Sequence, residues 1–253
     1  MNIIICNTYE DMSRKAADIM TAQLTAKPTS VLGLATGSTP VGLYRELVRR
    51  YEAGELSFAR AKTVNLDEYC GLDASHDQSY AYFMNHHLFS HVDLPEGATH
   101  IPDGTNPDGA AECARYDALI RELGGVDLQL LGIGGNGHIG FNEPSDTIAL
   151  GTIHVALTES TVAANSRFFA SADLVPRYAY SMGCGAILSA REILLVANGR
   201  GKAEILEQAF FGDVTPKVPA SLLRLVGDRV TVVCDAEAGA LMRERHPSEV
   251  TVL

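Results

Sequence analysis

Short apolar, β-rich runs recur along the chain at Asn2 to Cys6, Val31 to Leu34, Thr63 to Leu66, Asp127 to Ile133, Ile153 to Leu157, Tyr178 to Met182, Ile193 to Ala197 and Val230 to Cys234. Several, such as LQLLGI and ILLVA, are continuously apolar rather than alternating, which predicts strands covered on both faces. Between most of them the apolar positions recur at helical spacing. From Ser38 to Tyr51, the residues Val41, Tyr44, Leu47, Val48 and Tyr51 fall on one stripe, with Pro40 in the first turn. From Asp108 to Leu123 the pattern repeats, opening on an N-cap aspartate and stopping at Gly124-Gly125. Strand and helix therefore alternate, which predicts an α/β fold of right-handed βαβ units around a mostly parallel sheet. Ligands are expected beyond the C-terminal ends of the strands, so chemistry is sought just after each one.

Length and composition narrow the class. With 253 residues and 46% hydrophobic content, the chain can bury one substantial core in one domain or at most two. A formal net charge of -11 argues against binding nucleic acid through a concentrated basic face. It leaves small anions open, because a few local donors suffice to hold a phosphate. The five cysteines, Cys6, Cys70, Cys113, Cys184 and Cys234, are widely spaced with no CxxC pair, which suits a reducing compartment. The apolar start of the chain lacks a basic n-region and a small-residue cleavage site. No stretch approaches the roughly 18 to 20 apolar residues of a membrane helix. The chain is expected in the cytoplasm, with no membrane partner.

Two motifs follow the first strands. Gly33-Leu34-Ala35-Thr36-Gly37-Ser38-Thr39-Pro40 runs from a strand through a polar turn into a helix. Free amides and the positive end of the helix dipole converge there, so the turn suits a phosphate. An ordinary N-cap by Ser38 or Thr39 would read the same way. The motif is not a Walker A loop, since GK[ST] is missing. In Asn65-Leu66-Asp67-Glu68-Tyr69 a strand ends in two adjacent carboxylates. An aspartate there is often a turn former. Two acids side by side in a cleft would also separate in pKa, leaving one as a usable base.

The third motif is Gly132-Ile133-Gly134-Gly135-Asn136-Gly137-His138-Ile139-Gly140-Phe141-Asn142-Glu143-Pro144, which contains a literal GxGxxG after a strand. The residues that follow include Gly140 and Pro144 and offer no amphipathic helix to receive a pyrophosphate, which argues against a dinucleotide site. A glycine-rich turn carrying His138 and Glu143 reads instead as acid–base machinery with Glu143 orienting the imidazole, or as a structural histidine held by a turn. Arg167 and Lys202, the latter after the Gly199-Arg200-Gly201 turn, are candidate cations for a phosphate, or ordinary surface charges. His87 and His91 stand four apart on an expected helix beside His86, but no third ligand or HExxH glutamate accompanies them, so a partly exposed helical face is expected and no metal site.

Taken together, LGLATGSTPVGLY, VNLDEYCGL, LGIGGNGHIGFNEPSD, ANSRFF and NGRGKA resemble the glucosamine-6-phosphate deaminase family, in order and over almost the whole chain. The resemblance implies one domain over residues 1–253 with a modified Rossmann-like sheet, a sugar-phosphate substrate, and no metal or organic cofactor. It implies that Asp67 moves a proton between C2 and C1 of the open-chain sugar and that His138, supported by Glu143, assists ring opening. Asn136 stands where some members carry aspartate, which leaves Glu143 as the principal acidic partner of the histidine. The phosphate would rest on Thr36, Gly37, Ser38 and Thr39 with Arg167 and Lys202. The stretch 157–180 resembles a mobile lid. A lactone hydrolase on the same scaffold and a non-catalytic sugar-phosphate sensor are the rival readings, against which NLDEY, GFNEP and the presence of all three reactive residues speak.

Hexameric members of that family are activated by N-acetylglucosamine-6-phosphate through basic side chains on the strand after the NEP motif. Here that strand reads Thr152-Ile153-His154-Val155-Ala156-Leu157, with Ile153 and Val155 at the expected cation positions. A monomer without that activation is expected.

Overall fold

The structure, a computed structural model, describes residues 1–166, 169 and 171–253. Its strands are β1 (Asn2–Cys6), β2 (Val31–Leu34), β3 (Lys62–Asn65), β4 (Asp67–Tyr69), β5 (Thr99–His100), β6 (Leu128–Leu131), β7 (Ile153–Ala156), β8 (Tyr178–Ser181), β9 (Glu192–Ala197), β10 (Val230–Asp235) and β11 (Thr251–Val252). The α-helices are α1 (Tyr9–Ala26), α2 (Val41–Glu52), α3 (Tyr80–His87), α4 (Gly109–Glu122), α5 (Glu159–Asn165), α6 (Cys184–Leu188), α7 (Ala203–Phe211) and α8 (Ala240–Arg245).

Among the described residues, eight strands form one parallel sheet in the order β11-β1-β10-β9-β6-β2-β3-β5. The continuously apolar runs are its centre. Every residue of β2 and β6 is buried, and so are the last five of β9. Each fully buried Leu, Ile or Val side chain is worth roughly 1.5–3 kcal/mol against exposure, so these strands hold the layers together. The chain is a single α/β domain, as the alternation of elements predicts. No helix among the described residues is long and apolar enough to cross a membrane.

The helix expected from Asp108 to Leu123 forms as α4, with Asp108 as N-cap accepting from the Ala111 amide at 3.0 Å and Leu123 as C-cap. The helix expected from Ser38 starts later, at Val41, because Gly37 takes a φ of 103° and breaks the backbone before Pro40. Its buried stripe is Leu43, Tyr44 and Leu47, and Tyr51 lies at the margin.

One departure from the expected pattern matters for the site. β7 and β8 leave the parallel sheet and pair antiparallel with the unforeseen β4 in a second, three-stranded sheet ordered β4-β8-β7. β7 alternates half-buried and exposed positions, as a strand covered on one face does. The expected lid around 157–180 falls partly on residues outside those described.

The parallel sheet also fixes where a cleft opens. From β2 the chain proceeds through α2 to β3 on one side, whereas after β6 it continues to β9 on the other. The carboxyl ends of β2 and β6 thus lie at a topological switch point, the place in open α/β sheets where loops diverge and leave a crevice.

Candidate active site

That crevice is a cleft of about 900 Å³. It is lined by the loops leaving β2, β3 and β6 and by Lys202 beyond β9, with α3 along one side. Thr36, Gly37, Ser38, Thr39, Asp67, Asn136, His138 and Lys202 all face it, so residues far apart in sequence meet there.

The turn after β2 is clamped from behind. The hydroxyl of Tyr9 donates to the carbonyls of Thr39 at 3.1 Å and Ser38 at 3.3 Å and accepts from the Gly42 amide at 2.8 Å. Thr39 Oγ1 donates to Asn198 Oδ1 at 2.7 Å, which ties this turn to the one carrying Lys202. The N-cap of α2 is Pro40, which offers no capping side chain, so the ordinary N-cap by Ser38 or Thr39 is not formed and Tyr9 takes the Gly42 amide instead. The turn from Thr36 to Val41 lines the cleft at the start of that helix, where the positive end of the dipole favours an anion.

Lys202 donates to the carbonyl of Ile133 at 2.5 Å, and burial lowers its pKa. It is a cation tucked into the cleft wall rather than a solvated surface charge. Arg167 lies outside the described residues.

The carboxylates after β3 part company. Glu68 turns away from the cleft, and its oxygens accept from the amides of Tyr69 at 2.8 Å, Tyr80 at 2.9 Å and Ala81 at 2.8 Å, holding the first turn of α3. Burial pushes Glu68 up to about 7 against the pull of those three donors. Both oxygens accept N–H groups, which favour the ionised form, so Glu68 gives up its proton before Asp67 does. Asp67 is 7% exposed, faces the cleft and has no hydrogen-bond partner among the described residues. Burial first, and the Glu68 charge second, push it up to about 8. Adjacent acids do separate in role, as expected, but the division is between a helix anchor and a free carboxylate.

The glycine turn after β6 folds on itself. The Gly134 amide donates to the His138 carbonyl at 2.9 Å, and the His138 amide to Asn136 Oδ1 at 3.2 Å. A Cβ at Gly134 would collide with the His138 imidazole, so only glycine lets the ring lie there. No helix follows this GxGxxG before β7, which removes the receiving dipole a dinucleotide would need.

Glu143 stands behind His138 rather than in the cleft, with Oε2 at 3.4 Å from Nδ1. That approach lacks hydrogen-bond alignment, and Nδ1 is buried without a bonded partner among the described residues. The acidic support expected for the imidazole is thus a close charge rather than a formed hydrogen bond. Glu143 Oε2 accepts from Asn136 Nδ2 at 2.7 Å and Oε1 from Thr161 Oγ1 at 2.7 Å. Burial raises the Glu143 pKa, but His138, Thr161 and Asn136 outweigh it and bring it down to about 2.

Sequence reasoning misses the aromatic wall opposite the polar turn. Tyr80 stacks on Phe141 with centroids 6.3 Å apart at 11° and meets Tyr69 at 4.7 Å. Tyr80 lies in a segment whose histidines draw the attention, and aromatic content there is the available signal. His86 and His91 are exposed as expected, but His87 is half-buried and lines the cleft. No group of three or more metal-ligating side chains occurs among the described residues.

Comparisons with known proteins give the family. A family model for glucosamine-6-phosphate isomerases/6-phosphogluconolactonase matches residues 7–232. A glucosamine-6-phosphate deaminase of Lachnoclostridium phytofermentans is 53% identical over 234 residues, 92% of this chain and 99% of the relative. The enzyme of that name from a Thermoanaerobacter species is 49% identical over 253 residues, 100% of both chains. A solved structure of a monomeric glucosamine-6-phosphate deaminase superposes with a TM-score of 0.92 at 46% identity, covering 95% of this chain and 100% of the other.

Proposed function

Because the chain belongs to the glucosamine-6-phosphate isomerase/6-phosphogluconolactonase family, we propose that it converts glucosamine-6-phosphate and water to fructose-6-phosphate and ammonia. The observation that carries the assignment is the Asp67 carboxylate, buried at the cleft, unpartnered among the described residues and raised to about 8. A lone buried acid with a pKa near neutrality is what proton transfer between carbons requires. A lactone hydrolase would need only an activated water.

The chemistry runs in order. The C2 hydrogen becomes removable only when the ring is open and an aldehyde stands beside C2. His138 moves the ring-oxygen proton, with the ionised Glu143 at 3.4 Å stabilising the imidazolium that forms. Asp67 then takes the C2 proton, and the enolamine is protonated at C1 to give an imine at C2. Water adds to that carbon and ammonia leaves, which yields the ketose with no change in oxidation state overall. The scheme calls for no metal or redox group. Asn136 acts through Glu143 and through the His138 amide.

The phosphate rests on the Thr36-Gly37-Ser38-Thr39 turn beside Lys202, and Arg167 is carried over from the resemblance alone. Binding energy from that remote group helps position the reacting carbons. Glucosamine without its phosphate is expected to be a very poor substrate, and Lys202→Ala to raise KM far more than it lowers kcat. Steady-state kinetics on both sugars checks this, and equal efficiency without the phosphate would contradict the site.

The chain acts as a monomer in the cytoplasm, with the sugar phosphate as its partner. The solved relative at 46% identity is itself described as monomeric. Ile153 and Val155 present aliphatic side chains, and the His154 ring is engaged with Tyr178 at 5.1 Å and Tyr180 at 5.2 Å. Without an anion site on that strand no effector coupling arises there. Hyperbolic saturation, unchanged by N-acetylglucosamine-6-phosphate, is expected together with a monomeric mass in solution. Sigmoidal kinetics relieved by that effector would refute it.

The direct test of the activity is to mix purified protein with glucosamine-6-phosphate and follow ammonia and fructose-6-phosphate together. Ammonia without ketose, or neither product, would sink the assignment.

A further inference from the structure

Glu143 is gripped from two sides by elements with no sequence relation to each other. Its Oε2 is fixed by Asn136 from the glycine turn at 2.7 Å, and its Oε1 by the Thr161 hydroxyl from α5 at 2.7 Å. Thr161 is 8% exposed and faces the cleft. Its single hydroxyl proton goes to the carboxylate, while its oxygen accepts from Thr158 Oγ1 at 3.0 Å. Thr158 is the N-cap of α5, so the grip is rooted in the start of that helix.

The His138 ring depends on that grip. Its Nδ1 is buried and bonded to no partner among the described residues, and Oε2 of Glu143 stands 3.4 Å away. The terminal torsion of a glutamate is broad, so a carboxylate held at one oxygen only can swing about it. Donors on opposite oxygens remove that freedom and keep Oε2 towards the imidazole, and at Oε1 the Thr161 hydroxyl at 2.7 Å is the close donor, with the Thr158 hydroxyl farther off at 3.4 Å. From this we infer that Thr161 is a positioning residue for the Glu143–His138 pair, acting through Glu143 and without itself reacting. The inference rests on the proposed role of His138 in ring opening only for its effect on turnover. The orientation of the pair is a property of the protein without substrate.

The test uses Thr161→Val, which keeps the shape and removes the donor, and Thr161→Ser, which restores it. Thr161→Ala, which cannot overpack, serves as a second deletion of the hydroxyl. In substrate-free protein, the imidazole nitrogen and proton NMR signals of His138, assigned by their loss in His138→Gln, should shift in the Val and Ala variants and stay at wild-type positions in Ser. With glucosamine-6-phosphate, kcat should fall about tenfold in Val and Ala, the scale of losing one hydrogen bond to a charged group. KM should stay nearly unchanged, and Ser should retain kcat. Unshifted imidazole signals in both Val and Ala would overturn the inference, as would a Ser variant that loses as much as Val. A wild-type protein without deaminase activity would refute the proposed function instead, and the imidazole signals would still decide this point.

Discussion

Replacing Asp67 by asparagine is expected to remove turnover while making the protein more stable. The amide keeps the shape of the side chain but cannot accept the C2 proton, and losing a general base costs about 10²- to 10⁴-fold. Stability moves the other way because the folded protein holds Asp67 at about 8, above its ordinary 3.8. Between those values the unfolded chain gives up the proton first. Stability from this group is therefore complete below about 3.8 and declines as pH rises towards about 8. At 1.36 kcal/mol per unit the full difference is about 6 kcal/mol, a ceiling that water entering the cleft would lower. The advantage of Asp67→Asn in thermal midpoint should thus be small at pH 4 and grow to several degrees by pH 9. In the wild type, kcat/KM should climb with pH along a limb displaced from the ordinary carboxylate range towards about 8, since only ionised Asp67 accepts the proton. An acid limb near pH 4, or full turnover by Asp67→Asn, would reassign the base.

Which of these features a reader of the sequence could foresee follows from the range of the forces involved. Val31 to Leu34 and Ile193 to Ala197 are legible as buried strands because continuous apolar runs must be covered on both faces, whatever covers them. α4 is legible because Asp108 and Gly124-Gly125 punctuate it locally. β4 is not, since a three-residue strand with two acids gains its identity only from pairing Asp67 with Ser181, more than a hundred residues away. The site follows the same rule. Asp67, His138 and Lys202 are legible because each sits just beyond a strand, where an α/β sheet keeps its chemistry. Nothing local marks Thr161 as the partner of Glu143, and nothing local separates Glu68 from Asp67. Both distinctions depend on which donors the fold brings within 3 Å.

Glu68 supplies the complementary experiment one residue away: burial raises its pKa as well, but its removal also orphans three amide donors that Asp67 does not hold. Its carboxylate accepts three amides, two of them the opening N–H groups of α3. Hydrogen bonds to a charged group contribute about 1.5–3 kcal/mol each, and a buried donor left unpaired costs about 1–3 kcal/mol. Glu68→Ala orphans all three, so a loss of about 3–9 kcal/mol is expected, towards the lower end because Tyr80 and Ala81 are only partly buried. Glu68→Gln retains one carbonyl oxygen but sets an NH₂ group against the remaining amide, so it too should destabilise, by about 2 kcal/mol. Because α3 lines the cleft with Phe83 and His87, loosening its first turn should raise KM as well as lower kcat, whereas Asp67→Asn should spare binding. Denaturant unfolding of Asp67→Asn and Glu68→Gln at one pH reads the contrast directly. If both acids were mere turn formers the two substitutions would shift stability alike. If Glu68→Gln proved neutral or stabilising, its carboxyl would not be the ionised anchor of α3, and the division of labour between the neighbouring acids would have to be reversed.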